Sequence, residues 1–381
     1  DNPSGWMEAT VDSISPPVGA PRHRSTIDIA LVVPRSGSAG IYGPSCEACA
    51  ELAIADLNAG SGLMGKLVRL RLVDGSRTPS VVAAEIQRLL QRGAIDAVTG
   101  WHISPVRQAI ARVTANRVPY VYGPLYEGGE RTPGLFLTGE TPSRQLLPAM
   151  DWMNSEYGID QWVLIGNDYV WPRQTGLAAR LHARSQGRPL LDEIYVPLGT
   201  QDFGAAIRQV EATGAAAVLL LLVGGDGVAF NRQFAAAGLC PAVPRLSPHV
   251  EENMLLASGS DSNDGLFAAA GYFEALNTTA SMDFASRYYR HFGASAPALN
   301  SIGESCYEAL TLLIALTERA GSLGIDQLAG AAEGLTYISP RGEVTMRGNQ
   351  MSQDIYVAEA KGLDFEDRKS TRLNSSHTIQ S

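Results

Sequence analysis

Short apolar segments alternate with longer amphipathic ones along almost the whole chain, and that alternation leaves few folds open. Ile27-Asp28-Ile29-Ala30-Leu31-Val32-Val33 reads as a buried strand stopped by Pro34. A helix over 42–58, a strand over 68–73 and a helix over 79–92 follow. The pattern continues with a strand at 97–99, a helix at 105–116 and a strand at 119–122. Strand and helix at this spacing imply right-handed βαβ units and a parallel sheet covered on both faces.

A second series follows the first. Helices are expected over 143–157, 174–185, 203–213 and 228–237, separated by strands at 161–165, 193–196 and 216–222. A strand at 266–270, helices at 280–292 and 304–320, and two late strands at 342–346 and 355–360 complete it. The expected fold class is therefore α/β, with two doubly wound parallel-sheet lobes and a ligand cleft between them. Ligands bind open α/β sheets at the carboxyl ends of the strands. The expected division is a flexible leader at 1–25, lobe 1 from 26–140 plus 274–336, and lobe 2 from 141–273 plus 337–366. The polar stretch 367–381 is expected to be a disordered tail, because Lys369 through His377 reads like translated sequencing adapter rather than protein.

At 381 residues the chain is too long for one ordinary core, which agrees with two lobes. A net charge of −9 with scattered arginines offers no clustered basic surface, so direct nucleic-acid binding is not expected. The longest apolar run, 215–223, is too short to enter a membrane as a spanning helix. Residues 1–24 contain no apolar h-region, which leaves the compartment open.

The chemical motifs fail on inspection. Gly60 and Gly65-Lys66 have the spacing of a phosphate loop, but Leu67 stands where a hydroxyl is needed, and the segment runs from helix to strand. Cys46 and Cys49 form a CxxC inside a helix without a second ligand pair, so helix-packed thiols are expected. Four cysteines in all favour a reducing compartment mildly. The six histidines lack metal-ligand spacing, and no nucleophile elbow occurs. Neither catalysis, a metal nor a cofactor is expected.

What remains is three loops at strand ends, rich in aromatic and hydroxyl groups. The first is Gly100-Trp101-His102-Ile103-Ser104-Pro105, where Ser104 sits at a helix start and reads equally as a plain N-cap ahead of Pro105. The others are Tyr122-Gly123-Pro124-Leu125-Tyr126-Glu127-Gly128 and Gly166-Asn167-Asp168-Tyr169-Val170-Trp171-Pro172-Arg173, the latter with the plainer alternative of a turn whose aromatics cover the sheet edge.

Asp168 through Arg173, Tyr126-Glu127-Gly128, and Glu193 through Gly199 with Asp202-Phe203 and Val228-Ala229-Phe230 resemble one branch of the type I periplasmic binding proteins. It is the branch that binds urea and short-chain amides: urea-binding subunits of ABC importers, and a cytoplasmic amide sensor of an amidase operon. The resemblance spans about 27–365. It implies a non-enzymatic receptor closing its lobes on urea or a short aliphatic amide, with Ser104 and Tyr122 contacting the solute from lobe 1 and Tyr169 from lobe 2. His102, Pro124, Tyr126, Trp171 and Asp226 complete the implied site. His102 and Trp171 depart from the residues usual at their positions, and Pro124 stands where some members are polar, which bears on ligand identity. An ABC permease and a periplasmic or extracytoplasmic location follow for the transport reading.

Two other readings stay open. A branched-chain amino-acid receptor needs a carboxylate for the ligand's ammonium, which Asp226, Asp168 or Glu127 could supply. A cytoplasmic regulator would act through a protein partner.

Overall fold

The computed structural model describes residues 25–373; residues 1–24 of the expected leader 1–25 and the stretch 374–381 lie outside them. The first lobe is built on β1 (Thr26–Val33), β2 (Leu67–Asp74), β3 (Ala97–Gly100), β4 (Tyr120–Tyr122) and β5 (Leu135–Leu137). Helices α1 (Gly43–Ala59), α2 (Pro79–Gln91) and α3 (Ser104–Thr114) connect the first four strands. Each has a proline in its first turn, where the missing N–H costs nothing. A 3₁₀ turn, Ser38–Tyr42, leads into α1.

The second lobe repeats the plan. It holds α4 (Leu146–Tyr157), β6 (Trp162–Asn167), α5 (Val170–Ser185), β7 (Asp192–Val196) and α6 (Gly204–Thr213). Then come β8 (Ala217–Leu221), α7 (Gly224–Ala236), β9 (Arg245–Ser247), α8 (Glu252–Ser258), α9 (Ser260–Asn263) and β10 (Leu266–Ala270). The chain next supplies α10 (Thr279–Phe292), α11 (Ser301–Ala320) and α12 (Ile325–Ala332). It ends in β11 (Thr336–Ser339), β12 (Gly342–Arg347), β13 (Gln350–Ser352), β14 (Ile355–Lys361) and β15 (Asp364–Leu373).

Both sheets carry a parallel core in the same order. The first runs β2-β1-β3-β4-β5 and continues through β13-β12-β11; the second runs β7-β6-β8-β9-β10 and continues through β14-β15. Each order reverses direction once, between β1 and β3 and between β6 and β8. In a doubly wound sheet the crevice at that reversal is where a ligand sits. The central strands are mostly apolar, as expected for strands buried on both faces: β6, β8 and β10 are buried at every position. By contrast β2 and β7, at the sheet edges, carry Arg69, Arg71, Asp192 and Glu193 and are largely exposed or half-buried.

The return strands correct two sequence expectations. Strands β12 and β13 extend the first sheet, so residues between 342 and 352 do not belong with the second lobe, where the boundary at 337 had put them. The polar stretch from 367 onward is strand as far as Leu373, paired antiparallel to β14. A sheet edge is satisfied by any backbone, and polarity of the side chains does not prevent pairing.

Three segments join the lobes: 138–145, 271–278 and 353–354. Arg341, 1% exposed, ties two of them together. Its Nε donates to Glu304 on α11 at 2.7 Å, and its Nη1 donates to the Thr138 carbonyl at 3.0 Å and to Gln353 Oε1 at 2.5 Å. Glu140 reaches the remaining one by accepting from the Gly271 N–H at 2.8 Å.

Candidate functional site

The two reversal points face each other across the interlobe cleft, and in each a polar side chain staples the diverging strands. In the first lobe His102, just beyond β3, places Nδ1 3.0 Å from the Val32 carbonyl on β1. The strands close up here because Gly100 has φ +136°, and a Cβ would lie 2.1 Å from that same oxygen. In the second lobe Asn167, at the end of β6, donates to Asp226 Oδ2 at 2.7 Å and accepts from the Val223 N–H at 2.8 Å.

Between the staples lies a cavity of about 430 Å3. Lobe 1 lines it with Pro34, 36–39, 75–77 and Trp101-His102-Ile103; lobe 2 adds Leu198, Gly199, Gln201 and Gly225. An aromatic cluster closes it from behind. Tyr42 and Trp101 of the first lobe meet His249 of the second, with ring centroids 5.3 and 5.6 Å from it, and Trp171 follows at 5.1 Å. Tyr42 Oη accepts from the Gly224 N–H and lies 2.8 Å from His249 Nδ1. Burial holds both His102 and His249 down to about 4, so each is a neutral imidazole near neutral pH.

The expected residues divide by what their polar atoms already do. Ser104 is the first residue of α3 rather than its cap, since Ile103 occupies that place and makes no side-chain cap. Its hydroxyl donates to Glu127 Oε2 at 2.7 Å and accepts from Arg107 Nη1 at 3.1 Å. Tyr122 donates to the His102 carbonyl at 2.6 Å, and Tyr126 to Gln350 Oε1 at 2.9 Å. His102 Nε2 meets Tyr120 Oη at 2.5 Å. Pro124 lines a buried space of about 10 Å3 beside Trp101 and Glu140, too small for a solute.

On the second-lobe side, α5 begins at Val170, three residues before the expected turn ends, and places Trp171 in its first turn, 3% exposed. Tyr169 precedes the helix, half-buried, and burial with Tyr122, Glu127 and Asp226 nearby pushes its phenol well up. Its hydroxyl has no hydrogen-bond partner among the described residues. Asp226 is fully buried in the first turn of α7. Its Oδ2 accepts from Asn167 and from the Gly199 N–H at 2.8 Å, whereas Oδ1 has no partner. Of the three carboxylates considered from sequence, Glu127 is spent on Arg107 and Ser104, and Asp168 pairs with Arg173 at 2.8 Å on the surface. Asp226 alone keeps a buried free oxygen.

Sequence reasoning passed over Trp101, although its loop was singled out. The indole is 1% exposed, lines the cavity, and its Nε1–H is unpartnered. Tyr42 and His249 were missed outright, because their roles come from the packing of one lobe on the other.

A second cleft of about 540 Å3 separates Arg107 and 127–130 from the α5 residues Val170, Gln174, Leu177 and Leu181. Its charged groups are bonded to one another: Arg107 donates to Glu127 at 2.6 Å and to Glu130 at 3.2 Å. Among the described residues no group of three or more His, Cys, Asp or Glu side chains could hold a metal ion. No described helix is long and apolar enough to cross a membrane. Cys46, Cys49 and Cys306 are buried free thiols where α1 packs on α11, as the helical placement of the first two implied.

Residues 26–368 match the family model described as periplasmic binding protein. Among solved structures, the chain is similar to a solute-binding protein of an ABC transporter from Rhodopseudomonas palustris BisB5, in complex with 3,4-dihydroxybenzoic acid. The identity is 22% over 90% of this chain and 95% of that one, with a TM-score of 0.80. It is also similar to the branched-chain amino-acid transporter substrate-binding protein of Streptococcus pneumoniae in complex with isoleucine, at 16% identity, 91% and 99% coverage and a TM-score of 0.79. An ABC transporter substrate-binding protein from Sphaerobacter thermophilus gives 21%, 91%, 95% and 0.76. At these identities the likeness is one of fold.

Proposed function

The chain belongs to the periplasmic binding protein family, and from that premise we propose that it is a receptor that closes its two lobes around urea or a short aliphatic amide and presents it to an ABC permease outside the cytoplasm. The observation that carries this reading is a pair of buried, unpartnered atoms beside the cavity, one on the lining residue Trp101 and one on Asp226, which adjoins the lining residue Gly225. Trp101 Nε1–H from lobe 1 can only donate, and Asp226 Oδ1 from lobe 2 accepts.

An amide offers one carbonyl to the indole and N–H groups to the carboxylate, with Tyr169 Oη free to serve either. Each atom left unpaired in the closed protein costs about 1–3 kcal/mol, so a solute bonding both recovers that cost only when the lobes are together. Differential affinity of this kind is what closes a two-lobed receptor.

A second reading has its own support. Asp226, buried next to the lining residue Gly225, and Arg77 at the rim would suit the ammonium and carboxylate of an amino acid. Calorimetric titration with urea, formamide, acetamide, butyramide, leucine, valine and benzoate separates these. Heat with urea or amides alone supports the first reading; heat with leucine or valine alone replaces it by the second, and heat with benzoate alone rejects both.

A further inference from the structure

The cavity is larger than an amide head group requires, and the chemistry of its walls bears on what else the solute carries. At about 430 Å3 it falls in the range of sites that enclose whole small ligands. Pro34, Trp101, Ile103 and Leu198 present carbon to it from both lobes. Leu198 is 41% exposed, an apolar side chain on the cleft wall with little covering it.

The polar groups nearby are largely committed elsewhere. Both ring nitrogens of His102 are bonded, to Val32 and Tyr120, and the ring is neutral near neutral pH. Ser76 bonds Asp74, and its hydroxyl meets that of Ser36 at 3.0 Å. The Arg77 side chain is 56% exposed and directed towards Glu85 at 3.9 Å, which places it at the rim. Urea has nothing to lay against such a wall and would leave the space wet.

We propose that the solute is an amide with an apolar tail of several carbons or an aryl ring, its head at Trp101 and Gly225, beside the buried Asp226, and its tail along Pro34, Ile103 and Leu198. The inference rests on the amide reading above and narrows its substrate class. Trp101 then serves twice, its N–H at the head and its ring face along the tail.

The test is a calorimetric series on the full chain with acetamide, butyramide, hexanamide and benzamide. Each methylene buried against the wall is expected to tighten binding roughly fourfold until the cavity is filled, with an increasingly negative heat-capacity change. Leu198→Ser, a change at an exposed position, is expected to flatten that series. If hexanamide binds no tighter than acetamide, the tail inference falls while the amide reading stands. If no amide of any length binds and amino acids do, the amide reading falls and takes the inference with it.

Discussion

The phenolic oxygen of Tyr42, in the first lobe, accepts a hydrogen bond at 2.6 Å from the backbone N–H of Gly224, in the second. Gly224 has φ +44°, and a Cβ there would lie 2.1 Å from the Ser38 carbonyl, so the second-lobe backbone comes this close only because the residue is glycine. Tyr42→Phe removes the acceptor and leaves a buried N–H unpaired in the closed protein, where in an open one water satisfies it. The cost of about 1–3 kcal/mol falls on the closed state. Solute affinity is expected to drop about tenfold or more, with a larger radius of gyration by small-angle scattering. Unchanged affinity and radius would mean that the contact does not hold the lobes together.

Arg341 is the cation among three buried carboxylates: Glu304 at 2.7 Å, Glu308 at 3.9 Å and Glu140 beside the Gly271 N–H. Burial first, and then the neighbouring Glu308, push the Glu304 carboxyl well up despite that arginine. Arg341→Met removes the cation and also releases Thr138 and Gln353 in the joining segments. Losing one partner of such a buried pair costs about 3–5 kcal/mol. Guanidinium chloride unfolding is the measurement to use, since urea is a candidate solute; an unchanged midpoint would show that the hub carries no stability.

The α/β plan was legible because strands buried on both faces are apolar along nearly their whole length, as β8 and β10 are throughout and β1 and β6 are but for Thr26, Asp28 and Asn167. Three short strands were not: β5, β9 and β13 have three residues each, too few to show a period, whereas β4, equally short, was legible from its place in the regular strand–helix alternation. The site was readable to the level of loops. Which atoms remain free in it was not, because Ser104 and Tyr122 are consumed by Glu127 and the His102 carbonyl, partners that folding rather than spacing supplies.

Glu251 caps α8, accepting from the Asn253 and Met254 N–H groups, and burial pushes its carboxyl up to about 7. A carboxyl raised on folding binds its proton more tightly in the native state. Its stabilising contribution is therefore full below about 4.5 and is lost as pH rises to about 7. Glu251→Gln deletes that dependence. Across this window the stability of the variant is expected to gain on that of the natural chain by about 1.4 kcal/mol per pH unit. Denaturant unfolding at half-unit pH intervals checks it, and parallel curves for the two proteins would rule it out.

Tyr169→Phe and Ser104→Ala are expected to part company. The Tyr169 hydroxyl has no partner in the protein, so its loss should leave the melting temperature alone and weaken solute binding by about tenfold. Ser104→Ala takes a donor from the buried Glu127 and an acceptor from Arg107, which should lower stability by about 1–3 kcal/mol. Solute affinity should change less in this variant. A pair of thermal melts and titrations suffices, and the reverse pattern would return Ser104 to the solute contacts and remove Tyr169.

Asp226→Asn tests the sign of the group that the solute presents. The single carbonyl oxygen of asparagine can keep the bonds that Oδ2 now accepts from Asn167 and Gly199, which places the amide NH2 where Oδ1 stands. A donor replaces an acceptor with little change in shape. An amide or an ammonium then meets N–H with N–H, and binding should fall by well over tenfold, since bonds to charged groups contribute about 1.5–3 kcal/mol. For a carboxylate solute such as benzoate the same change removes a like charge and adds a donor, so its binding should strengthen. Titrating the variant with butyramide and benzoate therefore reads the polarity of the natural solute directly: loss of the first supports the proposed site, and gain of the second without that loss overturns it.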